Sequence, residues 1–279
     1  MRRIIILIAF SASLVSCKKF GDTNTSPTLL TEASTKALLT NSEQALSSLV
    51  LGNTAASRLA SLYMQHLSEG PYPGPSLYND RNLTFSAWYT GPLYNLQTII
   101  NYNEGGSSAA NGNGSKNNQI AVARILKAYY YLLMTDKWGD IPYSESLKGS
   151  EAYSPKYDKQ QDIYTSLFKE LTEAVAQINE SEAKVVGDVL FNGNMAAWKR
   201  FANTIRMTMA LRLSVKDIAK GKTEYTAALA AGVITSNAQN IAYTFISGDP
   251  NNYNPWYNNY SVSNRNDYAI SKTLTDYME

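Results

Sequence analysis

AVARILKAYYYLLMTDKWGDIPYSESLKG, residues 121–149, is the stretch from which the rest of the chain can be read. Its first half is helical. Val122, Leu126, Tyr129 and Leu133 step by four, three and four residues and line one helix face. Arg124, Lys127 and Tyr131 fall on other faces. The run Tyr129-Tyr130-Tyr131 sends aromatic surface out in several directions, so this helix is expected to be covered on more than one side. Trp138-Gly139-Asp140 breaks it and Pro142 stops it. Periodicity by itself describes a core helix followed by a turn.

On the N-terminal side, residues 31–51 read as a helix with Thr31 at the N-cap and Leu38, Leu39, Ala45, Leu46 and Leu49 inward. Residues 55–68 read as a second helix, with Leu59, Leu62, Tyr63 and Leu67 inward, forming an α-hairpin with the first. Residues 69–85 are a loop stiffened by Gly-Pro-Tyr-Pro-Gly-Pro at 70–75. Its Tyr72 and Tyr78 either face a ligand or pack in a crossover. A helix over 87–102 carries Trp88, Leu96 and Ile99 or Ile100. The Gly/Ser/Asn stretch 105–118 cannot build a core and is expected to be a mobile loop.

On the C-terminal side, residues 148–157 are loop, and Asp158 with Gln161 has capping-box spacing. Tyr164, Phe168, Leu171, Val175 and Ile178 then define an amphipathic helix with Glu170 and Glu173 on its wet side. The next helix places Trp198, Phe201, Ile205 and Met209 together. A short helix over 225–231 and a strand or extended segment over 241–246 follow. The helices pair as 31–51 with 55–68, 87–102 with 119–136, and 159–179 with 195–214. The expected class is mainly α: stacked antiparallel pairs, long loops and little strand.

The loop NNYNPWYNNY at 251–260 is rich in Tyr, Trp and Asn. Aromatic faces stack on the apolar faces of sugars, and Asn both donates and accepts to hydroxyls. Tyr253, Trp256, Tyr257 and Asn258 are therefore candidate ligand-binding residues, with Tyr72, Tyr78 and Trp88 added from the other aromatic-bearing segments. The alternative is an Asn-rich solvated loop.

Composition narrows the chemistry. The 279 residues include 20 Tyr, one Cys and one His. Cys17 and His66 cannot build a zinc cluster, and no disulfide forms within the chain. A His-based triad would need His66, which has no nucleophile elbow near it. Two carboxylate pairs, Glu170 with Glu173 and Asp136 with Asp140, could be nominated for a glycosidase, and a solvated helix face and a turn explain them more simply. No catalytic residue, metal or cofactor is expected.

Arg2 and Arg3 precede an apolar run from Ile4 to Val15, too short to span a bilayer and suited to a signal-peptide core. Leu14-Val15-Ser16-Cys17 resembles a lipobox, which implies cleavage before Cys17 and acylation of its sulfur. Acyl chains would anchor the protein to a membrane without spanning it. Residue 18 is Lys rather than the Asp that retains lipoproteins at the inner membrane, which favours the outer membrane. Loss of residues 1–16 removes two arginines and leaves 23 basic and 23 acidic side chains. With no basic block beyond Lys18-Lys19, nucleic-acid binding is excluded. The expected organisation is signal peptide 1–16, tether 17–30 and helical domain 31–279.

Three strings carry a resemblance. The first is Tyr131, Asp136, Trp138-Gly139-Asp140-Ile141-Pro142-Tyr143, Glu145 and Leu147. The second is Asp188, Phe191, Gly193-Asn194, Trp198 and Arg200-Phe201-Ala202-Asn203-Thr204-Ile205-Arg206, closed by Leu211-Arg212. The third is Arg265-Asn266-Asp267-Tyr268-Ala269-Ile270-Ser271. Together and in this order they resemble the SusD/RagB-like family, in its shorter-looped branch. The resemblance implies a core like tetratricopeptide repeats. It also implies an outer-membrane lipoprotein that binds a nutrient, usually a glycan, and delivers it to a SusC-like TonB-dependent transporter. Trp88 with Tyr94 and Asn101 resembles a structural helix of that family. Family members continue well beyond the third string, so the chain is expected to be truncated at its C-terminal end. The competing readings are a helical-repeat scaffold for protein partners and the carboxylate-based glycosidase. In cells fed labelled palmitate, the full chain is expected to take up label and fractionate with membranes, and Cys17→Ser to lose both.

Overall fold

The computed structural model describes residues 32–51, 58–79 and 83–279. Its helices are α1 Thr35–Leu51, α2 Arg58–Tyr63, α3 Tyr94–Gly105, α4 Lys116–Trp138, α5 Gln160–Gln177, α6 Met195–Arg212, α7 Ile218–Ala230 and α8 Lys272–Met278. Short strands β1 Leu67–Glu69 and β4 Tyr268–Ile270 pair antiparallel, as do β2 Ile141–Pro142 and β3 Tyr157–Asp158.

α4 is the element that the opening stretch encodes. Ser115 caps it, its hydroxyl accepting from Asn118 N at 3.2 Å. Ile120 to Ala123, Ile125, Leu126, Ala128, Tyr130 to Leu132 and Met134 are buried, so the helix is enclosed on more than one side. It ends where Gly139 takes φ 74°, a conformation that disfavours any other residue. The Thr135 hydroxyl donates to Gly139 O at 2.7 Å across that end.

The neighbours alternate in direction, which individual hydrogen bonds make explicit. Asn41 meets Asn95, and Thr35 shares Gln119 with Asn103, so α1 runs against α3. Lys127 reaches Gln97, and Asn103 reaches Gln119, so α3 runs against α4. Arg124 bonds Gln177 and Gln160 bonds Thr135 O, which sets α4 against α5. Arg212 pairs with Asp136 beside Tyr164, which places the end of α6 at the start of α5. Asn203 donates to Ala231 O and Arg206 pairs with Glu224, setting α6 against α7. Each helix buries its apolar stripe on the next, the packing logic of stacked helical hairpins.

Several expectations are corrected. The hairpin of 31–51 with 55–68 does not form: α1 packs chiefly on α3, and α2 is short. Residues 67–69 leave the helical pattern because Gln65 takes φ 58° and the chain then pairs with β4. The helix over 87–102 is interrupted by a π-turn at Tyr89–Leu93, where Gly91 has φ −111° and ψ −107° ahead of Pro92. The Gly/Ser/Asn stretch is folded locally: Ser107 caps a 3-10 turn at Ser108–Ala110, and Ala110 is buried. Asp158 does not cap α5. Its carboxylate accepts from Tyr143 N and Ser144 N, while Asp140 accepts from Gln160 N at 2.9 Å and caps the helix from outside. Residues 241–246 form no strand, since no neighbouring strand offers them a ladder, and the 225–231 helix begins at Ile218 with Asp217 as its cap. The described part of the 31–51 helix begins at Thr35, and Thr31 lies outside the described residues.

The second string is built around one carboxylate. Asp188 accepts from Leu190 N, Phe191 N, Gly193 N and the Trp198 indole, all at 2.8–3.0 Å. A methyl on Gly193 would sit 2.8 Å from Val185 O, which explains a glycine there. Glu43 of α1, fully buried, lies against this loop; its Oε2 accepts from Val189 N at 2.6 Å and its Oε1 has no partner. Burial, and next the charge of Asp188, push the Glu43 carboxyl up to about 9. A protonated Glu43 becomes a donor toward Asp188. The folded chain therefore holds a proton that the unfolded chain releases near the usual carboxylate range. Stability is expected to fall as pH rises from about 5 to 9, by up to about 1.4 kcal/mol per pH unit, and Glu43→Gln to flatten that slope in urea titrations at pH 5, 7 and 9.

Candidate functional site

The β1–β4 ribbon brings together two segments nearly 200 residues apart in sequence: Leu67 faces Ile270, Ser68 faces Ala269 and Glu69 faces Tyr268. Two backbone bonds extend it, Gly70 N to Asp267 O and Ser271 N to His66 O. The Ser271 hydroxyl also donates to Gln65 O, locking the turn that leaves α2.

An aromatic cluster forms on this ribbon. The Arg58 guanidinium lies over Trp256, 5.8 Å from the ring centre, and over Tyr268 at 5.5 Å. Trp256 and Tyr268 meet edge-on at 5.2 Å. Arg265 lies 5.4 Å over Tyr72 and is pinned by Asp267, whose carboxylate also accepts from Asn259. The Asn259 amide, then Arg265, holds Asp267 below the usual carboxylate range. Tyr253 packs on Tyr257 at 5.3 Å, and Asn254 caps the turn carrying Trp256 by accepting from its N–H. Tyr78 packs on Tyr63 at 5.7 Å and accepts from Gln65.

Of the sequence-derived candidates, Tyr72, Trp256, Tyr253 and Tyr257 fall into this cluster, with Tyr78 held through Tyr63 and Gln65 at the exit of α2. Tyr72, Tyr78 and Tyr257 are 60, 55 and 45% exposed, which leaves ring faces available to a ligand. Asn258 is exposed beside Tyr257, its N–H donating to Asn254 O. Trp88 is a correction. It is 3% exposed and wedged edge-on against Tyr130 and Trp138, so it is core and presents no face to a ligand. Cys17 lies outside the described residues.

Arg58 Nε, Glu69 Oε2 and Asn259 Oδ1 are buried in the cluster with no hydrogen-bond partner among the described residues. The sequence reading missed Arg58, Arg265, Asp267 and Tyr268. The third string contained the last three, but only the ribbon reveals that they face the 251–260 loop. Arg58 sits in a helix and carried no signal of its own.

The carboxylate pairs are occupied. Glu170 and Glu173 both bind Arg124, at 2.8 Å each, so the wet side of α5 is an ion-pair network. Asp136 accepts from Tyr164 and pairs with Arg212, and Asp140 caps α5. Among the described residues no cluster of His, Cys, Asp or Glu could hold a metal ion. Because Trp88 is core and Trp256 half-buried on a ribbon, Trp88→Ala should cost about 3–5 kcal/mol in urea unfolding and Trp256→Ala about 1 kcal/mol.

Comparison with known proteins agrees with this architecture. A SusD-like family model, described as starch-binding and associating with the outer membrane, matches residues 27–279. Similar solved structures include a chitin-binding protein, 29% identical, with a TM-score of 0.70 over 88% of this chain and 52% of that one. A Bacteroidetes SusD-like protein is 26% identical, with a TM-score of 0.68 over 88% of this chain and 48% of its own. A SusD homologue from Bacteroides fragilis NCTC 9343 shares the fold at 22% identity, with a TM-score of 0.71 over 88% of this chain and 50% of its own. The chain spans about half the length of these structures. A search of the curated proteins finds no match. The stacked antiparallel helices, the three sequence strings and the match from residue 27 to residue 279 lead to one conclusion: this chain belongs to the SusD-like family.

Proposed function

We propose that this chain is a nutrient-binding lipoprotein of the outer membrane that captures a glycan or oligosaccharide and delivers it to a SusC-like TonB-dependent transporter. The observation that carries the reading is the cluster on the β1–β4 ribbon. Exposed tyrosine rings stand in the same cluster as the exposed Asn258 amide. Sugars offer apolar ring faces to the first and hydroxyls to the second. The family description, starch-binding and associating with the outer membrane, supports both the ligand class and the location. The chitin-binding relative supports a saccharide in particular.

In this reading residues 1–16 are a signal peptide and 17–30 a tether anchored through lipid on Cys17. Residues 31–279 form the helical domain, held at the cell surface. Among the described residues no helix is long and apolar enough to cross a membrane, and an acylated tether requires none. Capture is by stacking and hydrogen bonding, and release follows when the lid closes on the barrel. No bond of the ligand is broken. A helical scaffold for protein partners is the other reading, and it makes no use of the aromatic cluster.

Affinity electrophoresis through gels containing soluble starch or chitin oligosaccharides separates the two. Retardation of the full chain by one of these is expected, with at least a tenfold weaker effect for a folded Trp256→Ala/Tyr257→Ala variant. Equal retardation of the variant removes the cluster as the site. No retardation in either gel overturns the saccharide reading in favour of the scaffold.

A further inference from the structure

A second recess, of about 460 Å³, lies between α3, α4 and the loop after β2, and shares no lining residue with the aromatic cluster. We infer that this recess binds the carboxylate of an acidic sugar, a hexuronate, through Lys127, Asn101 and Lys148.

The direction of its hydrogen bonds carries the inference. Lys127 Nζ donates to Gln97 Oε1 at 2.8 Å. An ammonium has no acceptor to offer, so this bond fixes which way the Gln97 amide faces. Gln97 Nε2 therefore points on and donates to Asn101 Oδ1 at 2.9 Å. The chain ends on the Asn101 amide nitrogen, whose N–H groups meet no acceptor among the described residues.

The opposite wall has its hydroxyls occupied. Ser146 Oγ donates to Tyr143 O at 2.7 Å, so in its 2.6 Å bond with Tyr131 the tyrosine is the donor. Ser144 donates to Asp158 Oδ1 at 2.8 Å. What remains open to the recess is mostly donors: the Lys127 ammonium, the Asn101 amide and the Lys148 ammonium, which has no ion-pair partner among the described residues. Glu151, exposed at the rim, is the carboxylate among the lining residues, while Glu170 and Glu104 act on Lys127 from outside the recess. Converging donors with two cations select an anion.

Two further features select a sugar acid over a bare anion. The Tyr131 and Tyr143 rings, edge-on at 4.8 Å, line the recess and offer apolar surface to ring C–H groups. The volume lies within the range of small-ligand pockets and exceeds what acetate needs. Burial pushes the Lys127 ammonium down, and a carboxylate beside it would restore its charge.

The inference stands on this recess alone and does not depend on the aromatic site. Titration calorimetry on the full chain tests it with galacturonate, galactose and acetate as probes. Galacturonate is expected to bind at least tenfold more tightly than either of the others. Lys127→Met should weaken it at least tenfold, and so should Asn101→Asp, an exposed change that turns the terminal donor into an acceptor. Trp256→Ala should leave galacturonate binding unchanged. No galacturonate binding, equal binding of galactose or of acetate, or full affinity in a folded Asn101→Asp variant overturns the inference.

Discussion

Enclosing α4 leaves water no access to most of its length, so its polar groups must find partners within the protein. Asn118 donates to Asn179 O and Ala183 O and accepts from Asn179 N. Gln119 accepts from Thr35 and Asn103 and donates to Ala110 O and Gly114 O. Tyr130 reaches Ser42 O, and Arg124 gathers Glu170, Glu173 and Gln177. Each bond that satisfies α4 also ties down a neighbour. The Gly/Ser/Asn stretch before the helix is organised for this reason: its carbonyls are the acceptors that Gln119 requires. Low complexity removes side chains from a loop but leaves the backbone groups that a buried amide can use.

The helices were legible because burying one face imposes a period on the sequence. α4, α5 and α6 each appeared as a run of apolar residues at helical spacing, and those residues are buried or packed partly buried against the core. Ends and partners were less legible. Asp158 has capping-box spacing, yet Asp140 fills the role from 20 residues away, and no local pattern reports a cap supplied by another loop. Residues 67–69 continue a helical pattern and become a strand because a partner strand exists elsewhere in the chain. Propensity describes a segment alone, and tertiary pairing overrides it.

The aromatic site shows the same division. Composition marked the 251–260 loop, where Tyr, Trp and Asn concentrate. It could not separate Trp88 from Trp256, since both are tryptophans near tyrosines. Burial separates them: one is sealed beneath Tyr130 and Trp138, the other is half-buried against Arg58. Cations were absent from the sequence-level site, yet Arg58 and Arg265 hold Trp256, Tyr268 and Tyr72 in place. A stacking platform needs rigid rings, and a guanidinium over a ring provides that rigidity while occupying only one of its faces.

The ribbon that joins residues 67–69 to 268–270 also sets an order of events. The helix stack is made of contacts between neighbours in sequence, which close short loops and form early. β1 finds its partner only across nearly the whole chain, and so long a closure is slow compared with local pairing. A nascent chain can therefore hold most of its helices while Arg58 still lacks Trp256 and Tyr268. Assembly of this cluster thus comes last, and it requires the chain to have been synthesised at least as far as Ile270.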